Sequence, residues 1–143
     1  MIEVRYHNSV NVLQALSAHG ALAPFDTANW FALLAHTGLV PLIATASDAE
    51  VTAALALTES AGRITALRNW YSFTWRELAP QGAAGDRLLQ AIAQQLKTRG
   101  HRVTLEPVPD EDGSATRLAH AFRAAGWRVM VEPCDVNHVL QVA

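Results

Sequence analysis

The chain has 143 residues, enough for one domain over 1–143, and half of them are apolar while 17% are charged. That balance supplies a buried core and argues against intrinsic disorder; a formal charge of −2 and a pI near 6.3 argue against a nucleic-acid partner held by bulk charge. The single cysteine, Cys134, makes no internal disulfide, Met1–Asn8 lacks the pattern of a signal peptide, and the most apolar stretch, Leu39–Ala46, is too short to span a bilayer, so a cytoplasmic protein with no membrane partner is expected.

Glu3–His7 alternates polar and apolar residues and reads as a short edge strand. Asn8 and Ser9 offer caps for a helix over Val10–His19 that Gly20 ends. Asp26 and Thr27 start a second helix, with Trp30, Phe31, Leu33 and Leu34 at helical spacing and Gly38 as its stop. Val40–Ala46, Val51–Thr58 and Arg63–Phe73 follow as three sequential antiparallel strands, because the gaps between them are of hairpin length. The middle one is rich in alanine, as a helix would be, but turn residues bracket it closely on both sides.

Ala79–Gly85 is a loop of small residues. Leu88, Leu89, Ile92, Ala93 and Leu96 mark one face of a helix that stops at Gly100, and His101–Val108 reads as a strand. Asp110–Ser114 is a polar loop; Leu118, Ala121, Phe122 and Ala125 form the face of a last helix ended by Gly126. Trp127–Pro133 reads as a strand, and Val136–Val142 as one more. Strands joined through helices of this length pair in parallel.

Charge is uneven along the chain. Residues 1–62 hold one basic residue, Arg5, against five acids, whereas residues 63–143 hold ten basic residues against eight acids. A phosphate-bearing ligand is therefore expected on the second half.

This order of elements resembles that of the GNAT superfamily of acyl-CoA N-acyltransferases over nearly the whole chain. The local matches are Asn69-Trp70-Tyr71-Ser72, His101–Leu105, Pro107–Ser114, Ala121-Phe122-Arg123, Ala125-Gly126-Trp127 and Cys134–His138. The chain looks most like one half of the tandem-GNAT proteins, relatives of Fem-type aminoacyl transferases and of acetyltransferases linked to cellulose biosynthesis. The resemblance implies an α+β fold: a GNAT-like three-layer sandwich whose mixed central sheet has antiparallel first strands, then parallel βαβα strands, flanked by helices. It implies acetyl-CoA or another acyl-CoA as cosubstrate and a small amine as acceptor. It also implies a second half that these residues do not contain, so a homodimer that fills its place is expected.

The same resemblance assigns candidate site residues. GNAT enzymes hold the CoA pyrophosphate on backbone N–H groups at a helix N-terminus, where small residues let the anion approach. The family's motif there is Gln or Arg, two residues, Gly, one residue, then Gly or Ala; Gln81, Gly82, Ala83, Ala84 and Gly85 stand in that place, with Gln81 first, Ala84 at the fourth position and Asp86, a carboxylate, at the sixth. An ordinary loop entering a helix capped by Asp86 has the same composition. Glu106, at the end of its strand, is the candidate base, against the reading of a surface carboxylate. The only tyrosines are Tyr6 and Tyr71, and Phe122 stands where a proton-donating phenol is expected.

Trp70, Tyr71 and Phe73 are the candidate acceptor wall. On a strand, Tyr71, Phe73 and Trp75 would share one face, which core packing or a dimer edge would equally explain. Asp110–Asp112 precede a helix and read as caps and dipole partners rather than metal ligands. Cys134, Asp135 and His138 make a poor zinc set, so no metal is expected. A catalytically inactive GNAT-like module serving dimerisation or partner binding is the alternative function.

Overall fold

The computed structural model describes residues 1–17 and 24–133. It is an α+β structure built on a mixed five-stranded sheet of order β1-β2-β3-β4-β5. Strand β1 (Glu3–His7) pairs antiparallel with β2 (Leu42–Ser47), β2 with β3 (Thr52–Ser60), and β3 with β4 (Arg63–Ala66). Strand β5 (Arg102–Thr104) lies parallel to β4. The β3–β4 hairpin turns on Ala61 and Gly62, both at positive φ (52° and 76°), as a two-residue turn matched to strand twist requires.

The N-terminal helical segment opens as a 3-10 turn (Val10–Leu13), whose Ser9 cap accepts the Asn11 N–H at 3.2 Å, and passes into α1 (Gln14–Ser17). The expected stop at Gly20 lies outside the described residues. Helix α2 (Ala28–His36) is capped by Thr27, whose Oγ1 accepts the Trp30 N–H at 3.2 Å, and gives way to Gly38 at φ +95°. Helix α3 (Ala83–Leu96) presents Leu88, Leu89, Ile92, Ala93 and Leu96 to β1, β2 and β3. Burying each of those leucines stabilises the fold by about 2 kcal/mol. Ala44, Ala46 and Ala53, all fully buried, keep the sheet surface low beneath the helix. On the same face the Arg99 guanidinium lies 4.6 Å over the Tyr6 ring. Helix α4 (Ser114–Ala124) packs beside α3.

Three sequence expectations change. The strand expected over Arg63–Phe73 stops at Ala66. Leu67 still donates its N–H to the Ala56 carbonyl of β3 at 2.9 Å; residues 68–76 then leave the sheet, and the chain returns at Leu78 to bridge Ala54 of β3, with N–H···O distances of 2.7 and 3.0 Å. Asn69 and Ser72 explain the exit. Asn69 Oδ1 accepts the Tyr71 N–H at 2.9 Å and Ser72 Oγ accepts the Asn69 N–H at 3.2 Å, so local side chains satisfy the backbone in place of a ladder. Tyr71, Phe73 and Trp75 therefore share no strand face.

The strand expected over His101–Val108 shortens to Arg102–Thr104, because its partner β4 ends. The strand expected over Trp127–Pro133 does not form. Trp127 is instead anchored on the helices: its Nε1–H donates to the Ala93 carbonyl at 2.8 Å and its backbone N–H to the Phe122 carbonyl at 3.0 Å. Val136–Val142, Cys134, Asp135 and His138 lie outside the described residues. No helix among the described residues is long and apolar enough to cross a membrane.

Candidate functional site

The period-two alternation of β1 turns Val4 and Tyr6 toward α3 and leaves Glu3, Arg5 and His7 on the opposite face. Register places Thr45 beside Arg5, and Ser47 beside Glu3 and Thr52, so the polar face continues across β2 into β3. Above it opens a cleft of about 890 Å³, walled by Val12 and Leu16 of the N-terminal helical segment, by the returning segment 76–81, and by the start of α4.

Two arginines tie these walls together. Arg76 donates from Nη1 to Asp26 Oδ2 at 3.1 Å and from Nε to Asp112 Oδ2 at 2.8 Å. The other oxygen of Asp112 accepts the Ser114 N–H at 3.0 Å, opening α4. Partial burial alone would raise the Asp112 carboxyl, but the Ser114 N–H and Arg76 hold it below the ordinary range. Arg117, one turn into α4, donates from Nε to Asp86 Oδ1 at 2.6 Å and from Nη2 to the Pro80 carbonyl. Its Nη1 stands 3.7 Å from Glu77 Oε2.

Glu77 is the distinctive group of the cleft. Its side chain is 3% exposed, and its Oε1 has no hydrogen-bond partner among the described residues. Burial pushes its carboxyl up from 4.5 to about 7, against the opposing pull of its own backbone N–H, Arg117 and Ser114. A carboxyl held near neutrality can take up and release protons at physiological pH.

The small-residue loop borders the same cleft through Pro80 and Gln81. Gly82, at φ +101°, precedes the first helical residue, and the N–H groups of Ala83, Ala84 and Gly85 meet no acceptor among the described residues. Gly85 packs directly under the preceding chain: a Cβ there would lie 1.9 Å from the Pro80 oxygen. Gln81, Gly82 and Ala83 are exposed, Ala84 is half-buried and Gly85 is buried. The five residues expected to act together do form one loop and first turn. The sixth motif position, Asp86, has its carboxylate drawn onto Arg117.

The other candidates stand apart from the cleft. Glu106 is half-exposed, with its Oε1 3.7 Å from Arg68 Nη1, and does not line the cavity. Trp70, Tyr71 and Phe73 point outward at 91%, 73% and 74% exposure. Phe73 meets Phe25 edge-on at 5.4 Å between ring centres, and Phe25 meets Trp30 at 5.0 Å. Trp75, by contrast, is 1% exposed and donates from Nε1 to the Ala56 carbonyl at 2.9 Å. A smaller apolar groove of about 210 Å³ runs between β5, α4 and residues 127–132, with Phe122 on its wall.

Sequence reasoning missed Glu77, Arg117, Arg76 and Asp26. They come from segments up to 91 residues apart in the chain, and no local spacing joins them. The only available signal was the position of Glu77, a lone acid just ahead of the small-residue loop. No group of three His, Cys, Asp or Glu among the described residues is placed to hold a metal ion. No family model, curated protein or solved structure matches the chain.

Proposed function

We propose that the chain is a GNAT-like domain that transfers an acyl group from acyl-CoA to an amine. The observation that carries this reading is the run from the bridge at Leu78, through a loop of small residues, into the unclaimed N–H groups of Ala83, Ala84 and Gly85 at the start of a 14-residue helix. That arrangement suits a pyrophosphate, since free N–H groups and the positive end of the helix dipole converge there. Asp86 would repel an anion if it stood alone, but Arg117 Nε at 2.6 Å offsets its charge. The parallel β4–β5 pair, joined through α3 after three antiparallel strand pairings, also accords with this family's order.

Calorimetric titration of the purified chain with acetyl-CoA and with CoA tests the donor site. Micromolar binding is expected. Ala83→Trp, a change at an exposed position that leaves the core untouched, is expected to weaken it at least about tenfold by covering the N–H groups. Absence of heat and of any thermal shift at millimolar ligand would sink the reading. A catalytically inactive module that pairs with a second copy or another partner is then preferred. The outward-facing Trp70, Tyr71 and Phe73 favour that second reading, because three large aromatic side chains left exposed within four residues suit an interaction surface.

A further inference from the structure

Among the described residues, the carboxylates that line the cleft outnumber its guanidinium groups. Five carboxylates, those of Glu3, Asp26, Glu50, Glu77 and Asp112, line it together with three guanidinium groups. Each guanidinium is already engaged: Arg5 by Glu3 at 2.8 Å, Arg76 by Asp26 and Asp112, and Arg117 by Asp86 and Glu77. Glu77 Oε1 is left with no partner among the described residues, although its side chain is 3% exposed. Leaving a buried carboxylate oxygen unpaired is costly, and the cost is recovered when a donor is brought to it.

We infer that this cleft is a binding site for a small organic cation, a primary amine or guanidine, whose N–H groups are held by Glu77 Oε1. An anionic ligand would meet an excess of carboxylates. A metal ion would want several oxygen ligands around it, and no such group is assembled among the described residues. A neutral alcohol would supply one donor and leave the charge uncompensated. The hydroxyls of Thr45, Ser47 and Thr52 on the cleft floor give polar partners to the rest of the molecule. Pro80 and Gln81 line the same cavity, so a cation on Glu77 sits beside the loop proposed to hold the acyl donor. Its role as acyl acceptor rests on that reading; its binding does not.

The test is a set of primary amines and guanidines, each paired with the alcohol and the carboxylate of the same carbon skeleton. The set is screened by thermal shift and titrated against the whole chain at pH 7 without CoA. Amines or guanidines are expected to bind at least about tenfold more tightly than their matched alcohols and carboxylates, and Glu77→Gln to remove that preference. Wild-type protein supplies a second readout that needs no variant. Glu77, faced by Arg117, Ser114 and Asp112, titrates near 7, so seating a cation should expel on the order of half a proton. That release appears as a dependence of the binding heat on the ionisation enthalpy of the buffer. Binding that does not distinguish amine from alcohol, no binding across the set, or binding undiminished in a folded Glu77→Gln protein would overturn the inference. CoA binding without amine binding removes this site and spares the donor loop; the converse removes acyl transfer and spares the cleft.

Discussion

Trp75→Ala is expected to cost about 3–5 kcal/mol of folding stability, a large share of what a domain of this size possesses. The side chain is 1% exposed and fills the place where the chain rejoins the sheet after its excursion. Its ring N–H donates to the Ala56 carbonyl at 2.9 Å, and its backbone N–H donates to the Pro107 carbonyl at 2.8 Å. Truncation leaves a cavity between β3 and the segment after β5. The Ala56 oxygen is not orphaned by the change, because it also accepts the Leu67 N–H at 2.9 Å, so the cavity dominates the loss. Urea unfolding of Trp75→Ala beside Trp70→Ala checks the argument. Trp70, five residues away and 91% exposed, should change stability by no more than about 0.5 kcal/mol. Equal losses at the two positions would show that residues 68–76 are not anchored through Trp75.

A second large effect concerns the pH dependence of stability through Glu77. Its carboxyl is raised from 4.5 to about 7 in the folded chain, so between those values the folded state binds more protons than the unfolded one. Stability therefore falls as pH rises through this window, and the whole cost, on the order of 3 kcal/mol, is present above it. Glu77→Gln removes the ionisation while keeping the shape of the protonated acid. Its stability relative to wild type should improve by on the order of 3 kcal/mol between pH 4.5 and pH 8, since the other titrating groups are common to both proteins. Denaturant unfolding at the two pH values measures that difference. A constant offset between the proteins at both would mean that Glu77 ionises as an ordinary surface acid, and that the buried setting described above does not govern its titration.

The sequence by itself determined the elements whose energies are local. Ser9 and Thr27 cap, Gly38 and Gly126 stop helices, and the stripe from Leu88 to Leu96 turns one face of α3 to the core; each acts within a few residues. The two hairpin pairings, β2 with β3 and β3 with β4, were legible for the same reason, since hairpin length and alternation set neighbours in space, whereas the pairing of β1 with β2 spans the helices between them. The small-residue loop was legible as a unit, although Gly85 proved to be its close-packed glycine and Asp86 proved to be paired.

Only the tertiary structure decided where strands have partners. Arg63–Phe73 alternates well enough for a strand, yet it loses its ladder once Asn69 and Ser72 satisfy the backbone locally. β5 shortens with it, and Trp127 finds the Ala93 carbonyl in place of a neighbouring strand. Trp70 and Trp75 lie in one aromatic run and end at opposite extremes of exposure, because one sits at the turn and the other at the return to the sheet. The site depended on the fold most of all. Glu77, Arg117, Asp86, Arg76, Asp26 and Asp112 meet across three parts of the chain, and both the burial that raises one carboxyl and the ion pairs that restrain the others are properties of that meeting rather than of any segment.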